Sequence, residues 1–398
     1  MAAGAQSAAA AIGSGAGVPN GLVAGGLQVA AGVGTDPTLW QNAELPTEVR
    51  EGASTLVTVE QTDSRAILTW DSFNVGAQTT LHIDQSAGTT TDNSNDWVAL
   101  NRVTGSVDGS KIHGQIKAEG SVYVVDNNGI LFGAGSKVNT HSLIATSLNL
   151  YNNDRSIADA TFLDPNQGIT AFVSQVPGNV LPPLLLVDPG SATGNIRLEA
   201  GSTIETGRLG ISLLAAPDID NAGTIRANEG QAILLGARQV QLETDPGDDN
   251  RRAVRLRPFS GVLAGAPPET RVRNTGVIEA TRGNVTLIAR DVQQDGVIAV
   301  TGGIASPGSI VLTDGASGVD GELGGLGPGR VRFGNGSVTT ILPDGSDETT
   351  TSSAAADASF QPGRIEVRAG SIEFSRGSLL VAPGADLDVL AEGTPDEI

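Results

Sequence analysis

Short apolar segments separated by turn residues dominate the chain between residues 97 and 150. Three of them follow one another at residues 112–116, 122–125 and 130–132, and their apolar residues are mostly β-branched. Glycine, asparagine and aspartate punctuate the intervals, and these residues favour turns. The segments are too short for helices, so the pattern predicts consecutive β-strands joined by tight turns.

A recurring frame extends this pattern along the chain. The sequences NAGTIRANEG at residues 221–230 and NTGVIEATRG at residues 274–283 share it, and each precedes an apolar segment. Shorter copies occur at residues 116–120, 363–367 and 370–374. Apolar residues alternate with charged ones in the frame, which is the period of a β-strand with one buried face. The charged, outward positions are Lys117, Arg226, Glu279 and Glu366.

Repeating units of this kind bury their apolar faces by stacking on one another. The sequence therefore predicts an all-β fold, a right-handed parallel β-helix (β-solenoid) with capping strands at its N-terminal end and several extra-helical loops. The capping strands are expected because an uncapped end exposes a strand edge and the core. We expect these residues to point inward: Ile116, Val122, Val124, Ile130, Ile225, Leu234, Ile278 and Leu287.

Asparagine opens both long copies of the frame, at Asn221 and Asn274. Asparagine side chains at equivalent positions of stacked coils can hydrogen-bond to one another. We therefore expect an asparagine ladder inside the solenoid.

Changes in composition divide the chain into three parts. Residues 1–44 are rich in alanine and glycine, and we expect them to be poorly ordered apart from a short strand near residues 21–29. Residues 45–300 carry the β-helix pattern, and residues 301–398 continue it between Gly-rich and Ser/Thr-rich loops. Four stretches predict excursions from the solenoid, which long loops allow at little cost in free energy. They span residues 172–191, 244–270, 302–329 and 342–362.

Composition narrows the possible functions. The 44 acidic residues outnumber the 24 basic ones and give a net charge of -20, which argues against nucleic-acid binding. No apolar run reaches the roughly 18 residues of a membrane-spanning helix, so we do not expect the chain to span a membrane. Cysteine is absent, and stacked coils can form a core without disulfides. No Lys or Arg precedes Arg50, so a signal peptide is not evident.

Four sequence elements, in order, resemble the N-terminal two-partner secretion (TPS) domain of filamentous haemagglutinin-type exoproteins. They read WDSFNVG at residues 70–76, LNRVTG at 100–105, IHGQI and GSVYVVDNNGILFG within 112–133, and VNTHSLIATSL at 138–148. The family usually has Asn-Pro-Asn-Gly where this chain has DNNG at residues 126–129. The turn survives the change because asparagine and glycine both tolerate positive φ, but the rigidity of proline is lost.

The resemblance implies a secretion module of an adhesin-like protein that is secreted by, or displayed on, a Gram-negative bacterium. It implies an outer-membrane barrel transporter whose periplasmic domains recognise the module, and a receptor or glycan on a host or neighbouring cell as a further partner. In this family the passenger crosses the membrane unfolded and folds outside. The densest part of the resemblance supplies the transporter-recognition candidates: Asn101, Arg102, Gly105, Asp126, Asn127, Asn128, Gly129 and Ile130.

No pattern of catalytic or cofactor-binding residues emerges from the sequence. His82, His113 and His141 stand far apart without a second histidine four residues away, so we expect no metal site and no cofactor. The alternative function is a polysaccharide-acting β-helix enzyme of the pectate-lyase type, which needs clustered carboxylates with Arg or Lys. The best such cluster lies in a predicted loop, so we favour a non-enzymatic secretion module. It comprises Asp248, Asp249, Arg251 and Arg252.

Overall fold

Strands make up nearly all the regular structure in the computed structural model of this chain. The structure describes residues 17–88, 90–91, 94–105, 108–150, 159–160, 162–164, 184–187, 194–237, 239–244, 254–258, 270–303, 307–315, 329–344 and 362–391. Within these ranges, helical residues are confined to 159–160 and 162–163.

Three sheets of stacked strands form the walls of a solenoid. The first sheet contains β1 (Leu27–Val29), β2 (Trp40–Gln41), β5 (Arg65–Phe73), β9 (Val98–Val103), β12 (Ser121–Val125), β15 (Ser142–Thr146), β20 (Ile211–Ala216), β23 (Gln231–Gly236), β28 (Asn284–Ile288), β31 (Ser309–Thr313), β34 (Arg364–Ala369) and β37 (Asp386–Ala391). The second contains β3 (Thr47–Glu51), β4 (Ser54–Glu60), β6 (Thr79–Asp84), β11 (Gln115–Ala118), β14 (Lys137–Thr140), β19 (Thr203–Thr206), β22 (Thr224–Asn228), β27 (Val277–Thr281), β30 (Val297–Gly302), β33 (Val338–Pro343) and β36 (Leu379–Val381). The third contains β10 (Ser110–Ile112), β13 (Ile130–Phe132), β18 (Ile196–Leu198), β21 (Asp218–Asn221), β26 (Arg271–Asn274), β29 (Asp291–Gln294), β32 (Arg330–Phe333) and β35 (Ser371–Phe374).

From β10 onward the chain visits the third, second and first sheets in turn, and each strand pairs in parallel with its counterpart in the next coil. Ser121 pairs with Ser142, 21 residues further along, and Ile211 pairs with Gln231, 20 residues further along. These intervals match a repeat that completes one coil in roughly 20 residues. The right-handed parallel β-helix predicted from the sequence is confirmed.

Apolar side chains from all three sheets meet in one continuous core. Each of the eight residues expected to point inward is at most 2% exposed, and each belongs to this core. On the second sheet, the neighbours of these residues face outward, as the alternating pattern predicts: Lys117 and Arg226 are exposed.

Between β5 and β23 the first sheet departs from that alternation because both of its faces are buried, whereas β28, β31 and β34 alternate again. Its outward residues form a second apolar cluster that includes Tyr123, Leu213 and Ile233. An element outside the solenoid contributes Phe162, whose ring centroid lies 6.3 Å from that of Tyr123 in an edge-to-face arrangement. The sequence signal is a continuous apolar run, such as ISLLAA in β20, which is typical of a strand covered on both sides.

Antiparallel strands cap the N-terminal end, as predicted. β3 pairs with β4 as a hairpin, and β1 and β2 pair with β5. The short strand expected near residues 21–29 corresponds to β1. Large side chains anchor this cap, because Leu27 is buried and the Trp40 ring packs at 5.1 Å against that of Trp70.

Of the four predicted excursions, the stretch 302–329 is wrong in part, because it contains the solenoid strand β31 (Ser309–Thr313). Most residues of the other three stretches lie outside the described residues. The chain between β15 and β18 and the chain between β23 and β26 supply strands of a separate antiparallel sheet. Its members are β16 (Asn149–Leu150), β17 (Leu184–Val187), β24 (Gln239–Thr244) and β25 (Val254–Pro258). A short hairpin pairs β7 (Thr90–Thr91) with β8 (Ser94–Asn95). The residues proposed for the enzyme-like cluster, Asp248, Asp249, Arg251 and Arg252, lie outside the described residues.

Candidate functional site

The eight transporter-recognition candidates lie within residues 101–105 and 126–130, on two neighbouring coils. They are here called the recognition segment. Asn101 sits in β9 with its side chain buried inside the solenoid. Its Oδ1 accepts a hydrogen bond from Trp70 Nε1 at 3.0 Å, and its Nδ2 donates to the carbonyl oxygen of Tyr123 at 3.2 Å. One amide therefore joins three consecutive coils, since these residues belong to β5, β9 and β12.

Arg102 points to the other side of β9 and is half-buried. Its guanidinium forms a bidentate ion pair with Asp159, in which Nη1 lies 3.2 Å from Oδ2 and Nη2 contacts Oδ1. The pair fastens the helical residues 159–160 to the outer face of the first sheet. Gly105 is exposed, and a Cβ there would lie 2.8 Å from the carbonyl oxygen of Asp71.

Asp126 begins the turn between β12 and β13 and is fully buried. Its carboxylate accepts hydrogen bonds from Ser110 Oγ at 2.7 Å and from the backbone N–H of Asn128 at 3.0 Å. Burial raises the pKa of this carboxyl group, and the hydrogen bonds from Ser110 and Asn128 oppose the rise. Asp126 therefore fixes the turn from within and ties it to the preceding coil.

Asn127 and Asn128 occupy the middle of the turn. Asn127 is half-buried, and its Nδ2 donates to the carbonyl oxygen of Ser147 at 2.9 Å. Its own carbonyl oxygen accepts from Gly194 N at 2.7 Å. Asn128 is exposed to solvent. The turn thus presents one asparagine outward and uses the other to hold the next coil.

Gly129 completes the turn with φ at +102°, a conformation that L-residues rarely adopt. A Cβ at this position would lie 2.5 Å from the carbonyl oxygen of Asn195 on the next coil. Ile130 follows in the core, 2% exposed, and pairs with Ser110 and Ile196 on the neighbouring coils. The close stacking of coils therefore needs a residue without a Cβ at Gly129 and an apolar side chain at Ile130.

Six of the eight candidates are therefore buried or half-buried, and Gly105 and Asn128 are exposed. The sequence alone does not distinguish the packing residues among these candidates from the surface residues. Burial of Asn101 has a weak sequence signal, because it lies within an apolar strand.

The asparagine ladder expected from the repeat frame is present at a corner of the solenoid. Asn221 Nδ2 donates to Asn274 Oδ1 at 2.8 Å, and Asn274 Nδ2 donates to Gln294 Oε1 at 2.7 Å. All three side chains are buried. The ladder satisfies polar groups that would otherwise destabilise the core.

Two of the three histidines pack inside or against the solenoid. His113 is buried and His141 is half-buried, and burial lowers the pKa of each imidazole. His82 differs, because it lies beside Asp84 and Glu119 on the outer face of the second sheet. Among the described residues, no helix is long and apolar enough to cross a membrane.

The chain is similar to known secretion domains. Residues 31–341 match the family model described as "TPS secretion domain". The secretion domain of HMW1 from Haemophilus influenzae aligns over 93% of this chain and 92% of its own, with a TM-score of 0.50 and 18% identity, which shows the shared fold. The filamentous hemagglutinin secretion domain aligns over 92% of this chain and 99% of its own, with a TM-score of 0.45 and 14% identity.

A heme/hemopexin-binding protein of Haemophilus influenzae is 31% identical over 94 residues. The match covers 24% of this chain and 9% of that protein's length. The family match supports the secretion module over the polysaccharide-acting enzyme. The chain belongs to the TPS secretion domain family, whose members are secretion modules exported by Gram-negative bacteria and engage an outer-membrane TpsB transporter.

Proposed function

We propose that this chain is the secretion module of an adhesin-like surface protein. We propose further that its transporter recognises the recognition segment before that segment folds. The observation that carries the proposal is the burial of the segment in the finished solenoid. Asn101 and Asp126 are fully buried, and Arg102 is held by Asp159. A transporter that contacts these side chains must therefore meet them while the chain is extended.

An extended chain also offers its backbone to the transporter. Unpaired N–H and C=O groups can add a strand to the edge of a partner's sheet, and side chains at alternate positions then supply specificity. Once outside, the solenoid can grow from its capped end coil by coil, because each coil contacts only its neighbours. Folding then withdraws the recognition segment from the transporter and favours release.

Secretion of single variants tests the proposal when the transporter is co-expressed. Asn127→Ala removes one partly exposed hydrogen bond to Ser147, which is worth roughly 1 kcal/mol, so the refolded protein is expected to stay folded. We expect its secretion to fall well below that of the parent. Asn228→Ala is the matched control, since Asn228 is an exposed asparagine at the end of β22, and it should be secreted normally.

A third variant distinguishes an extended segment from a folded surface. Asn128→Ala alters the exposed asparagine of the same turn. If Asn128→Ala blocks secretion while Asn127→Ala does not, the transporter reads a folded surface and the proposal is wrong. Equal secretion of all three variants would place recognition outside this turn.

We propose further that the whole protein is secreted or displayed at the cell surface, where it binds a receptor or glycan on a host or neighbouring cell. Membership of the family supports export. The receptor or glycan would be bound by the whole protein rather than by this module. Binding of the purified full-length protein to intact cells, before and after glycosidase treatment, tests the proposed adhesion.

We also propose that the module is not an enzyme. Robust release of reducing sugar from acidic polysaccharides by the pure protein would contradict that.

A further inference from the structure

Three potential metal ligands meet on the outer face of the second sheet. His82 and Asp84 alternate along β6 and so project from the same face. Glu119 directly follows β11, which pairs with β6 so that Lys117 lies opposite His82 and Ala118 opposite Ile83. One ligating atom from each of the three residues lies within 4.8 Å of the other two. His82 Nε2 and Glu119 Oε1 are 2.8 Å apart.

Backbone contacts hold the two carboxylates in place. The second oxygen of Glu119 accepts a hydrogen bond from Gln85 N at 2.9 Å, and Asp84 Oδ1 accepts from Ser86 N at 3.0 Å. Glu60 lies opposite Asp84 on the far side of β6 and adds a further negative charge.

We propose that His82, Asp84 and Glu119 bind a zinc ion that joins β6 to β11. One imidazole nitrogen with two carboxylates is a donor set that suits Zn²⁺, whereas Mg²⁺ and Ca²⁺ prefer oxygen ligands alone. The side chains of His82 and Glu119 are 29% and 42% exposed, so an ion can enter from solvent and keep a water as its fourth ligand. Tetrahedral binding needs ligating atoms roughly 3.3 Å apart, which small side-chain rotations provide.

Lys117 opposes the cation. Its exposed side chain neighbours His82 across the strand pair, and an ammonium group near a bound ion weakens binding by repulsion. Removing this charge should therefore tighten zinc binding. A purely structural cluster, in which Glu119 serves only as a partner for His82, does not predict that effect.

Titration of the full chain with ZnCl2, after treatment with a chelator and followed by calorimetry, tests the proposal. We expect one ion per chain, and about tenfold or greater loss of affinity in both His82→Gln and Glu119→Gln. Lys117→Gln should bind more tightly than the parent. Glu205→Gln should match the parent, because Glu205 is an exposed carboxylate on the same sheet face, outside the cluster. MgCl2 at the same concentration should give no binding heat.

Thermal melting supplies a second readout, because an ion that binds the folded state raises the melting temperature. Zinc should raise it in the parent and in Glu205→Gln but not in Glu119→Gln. If His82→Gln fails to fold, Asp84→Asn replaces it with the same expected loss. Absence of zinc binding to the parent, or binding to several sites that none of these replacements weakens, would overturn the proposal.

Discussion

A single residue of the recognition segment can pack inside the folded protein and be exposed to the transporter in the extended chain. In the folded protein Asn101 bridges Trp70 and the Tyr123 carbonyl, and removing its amide would leave the buried Trp70 N–H without that acceptor. A buried donor without a partner destabilises a protein by about 1–3 kcal/mol. In the extended chain the side-chain amide of Asn101 is accessible to the transporter. Under the proposed function, folding and recognition involve the same side chains, so their effects must be measured separately.

The inward positions give the sharpest test of the register at the level of a single residue. Ile225 is fully buried in the core, so Ile225→Asp places a carboxylate there without a partner. We expect the free energy of unfolding to fall by several kcal/mol, about 3 or more. Denaturant melts measure the change. Asn228→Asp adds the same charge at an exposed position of the strand and should change stability little; equal stability of the two variants would mean that the register is wrong.

At the level of elements, tight corners decide how closely the coils can stack. Gly129 and Gly135 both have positive φ, at +102° and +82°. A Cβ on Gly129 would meet the Asn195 carbonyl oxygen at 2.5 Å, whereas a Cβ on Gly135 would meet nothing within 4 Å. Comparing replacements of these two glycines therefore distinguishes the effect of backbone strain from that of steric contact between coils.

We predict that Gly129→Ala destabilises the protein more than Gly135→Ala does. Both replacements incur strain of about 1 kcal/mol from the left-handed backbone, and only the first also pushes neighbouring coils apart. Paired denaturant melts measure the difference. If the two variants were equally stable, the close approach of Gly129 to Asn195 would have no energetic consequence.

The strands and their contacts differ in how far the sequence alone predicts them. Alternation in the repeat frames predicted the strands, their inward residues and the Asn221–Asn274 ladder, because each depends on local spacing. The outer apolar cluster on the first sheet was missed, since a continuous apolar run does not say what covers it. The approach of His82 to Glu119 was also missed, because those residues are 37 positions apart and meet only through strand register.

At the level of the whole molecule, the two packed histidines couple stability to pH. Burial lowers the pKa of His113 and His141 below the ordinary histidine value of about 6.5, and the neighbouring Glu199 and Asp96 oppose the shift. As the pH falls, the unfolded chain therefore takes up protons before the folded one does. The stability that these groups contribute is complete above pH 6.5 and is lost as the pH falls toward the folded pKa values.

We predict that the melting temperature declines as the pH is lowered from about 7.5 to about 5, and that the decline is shallower in His141→Gln. Thermal melts across this range, at constant ionic strength, measure both slopes. An unchanged slope in the variant would show that His141 does not contribute to the pH dependence.

Direct binding measures most clearly whether the transporter recognises the segment before it folds. The purified periplasmic domains of the transporter would be titrated with the refolded chain and, separately, with a synthetic peptide of residues 97–150. We expect the unfolded peptide to bind at least about tenfold more tightly than the folded chain, which corresponds to about 1.4 kcal/mol. Equal or tighter binding by the folded chain would show that the transporter recognises the folded module instead.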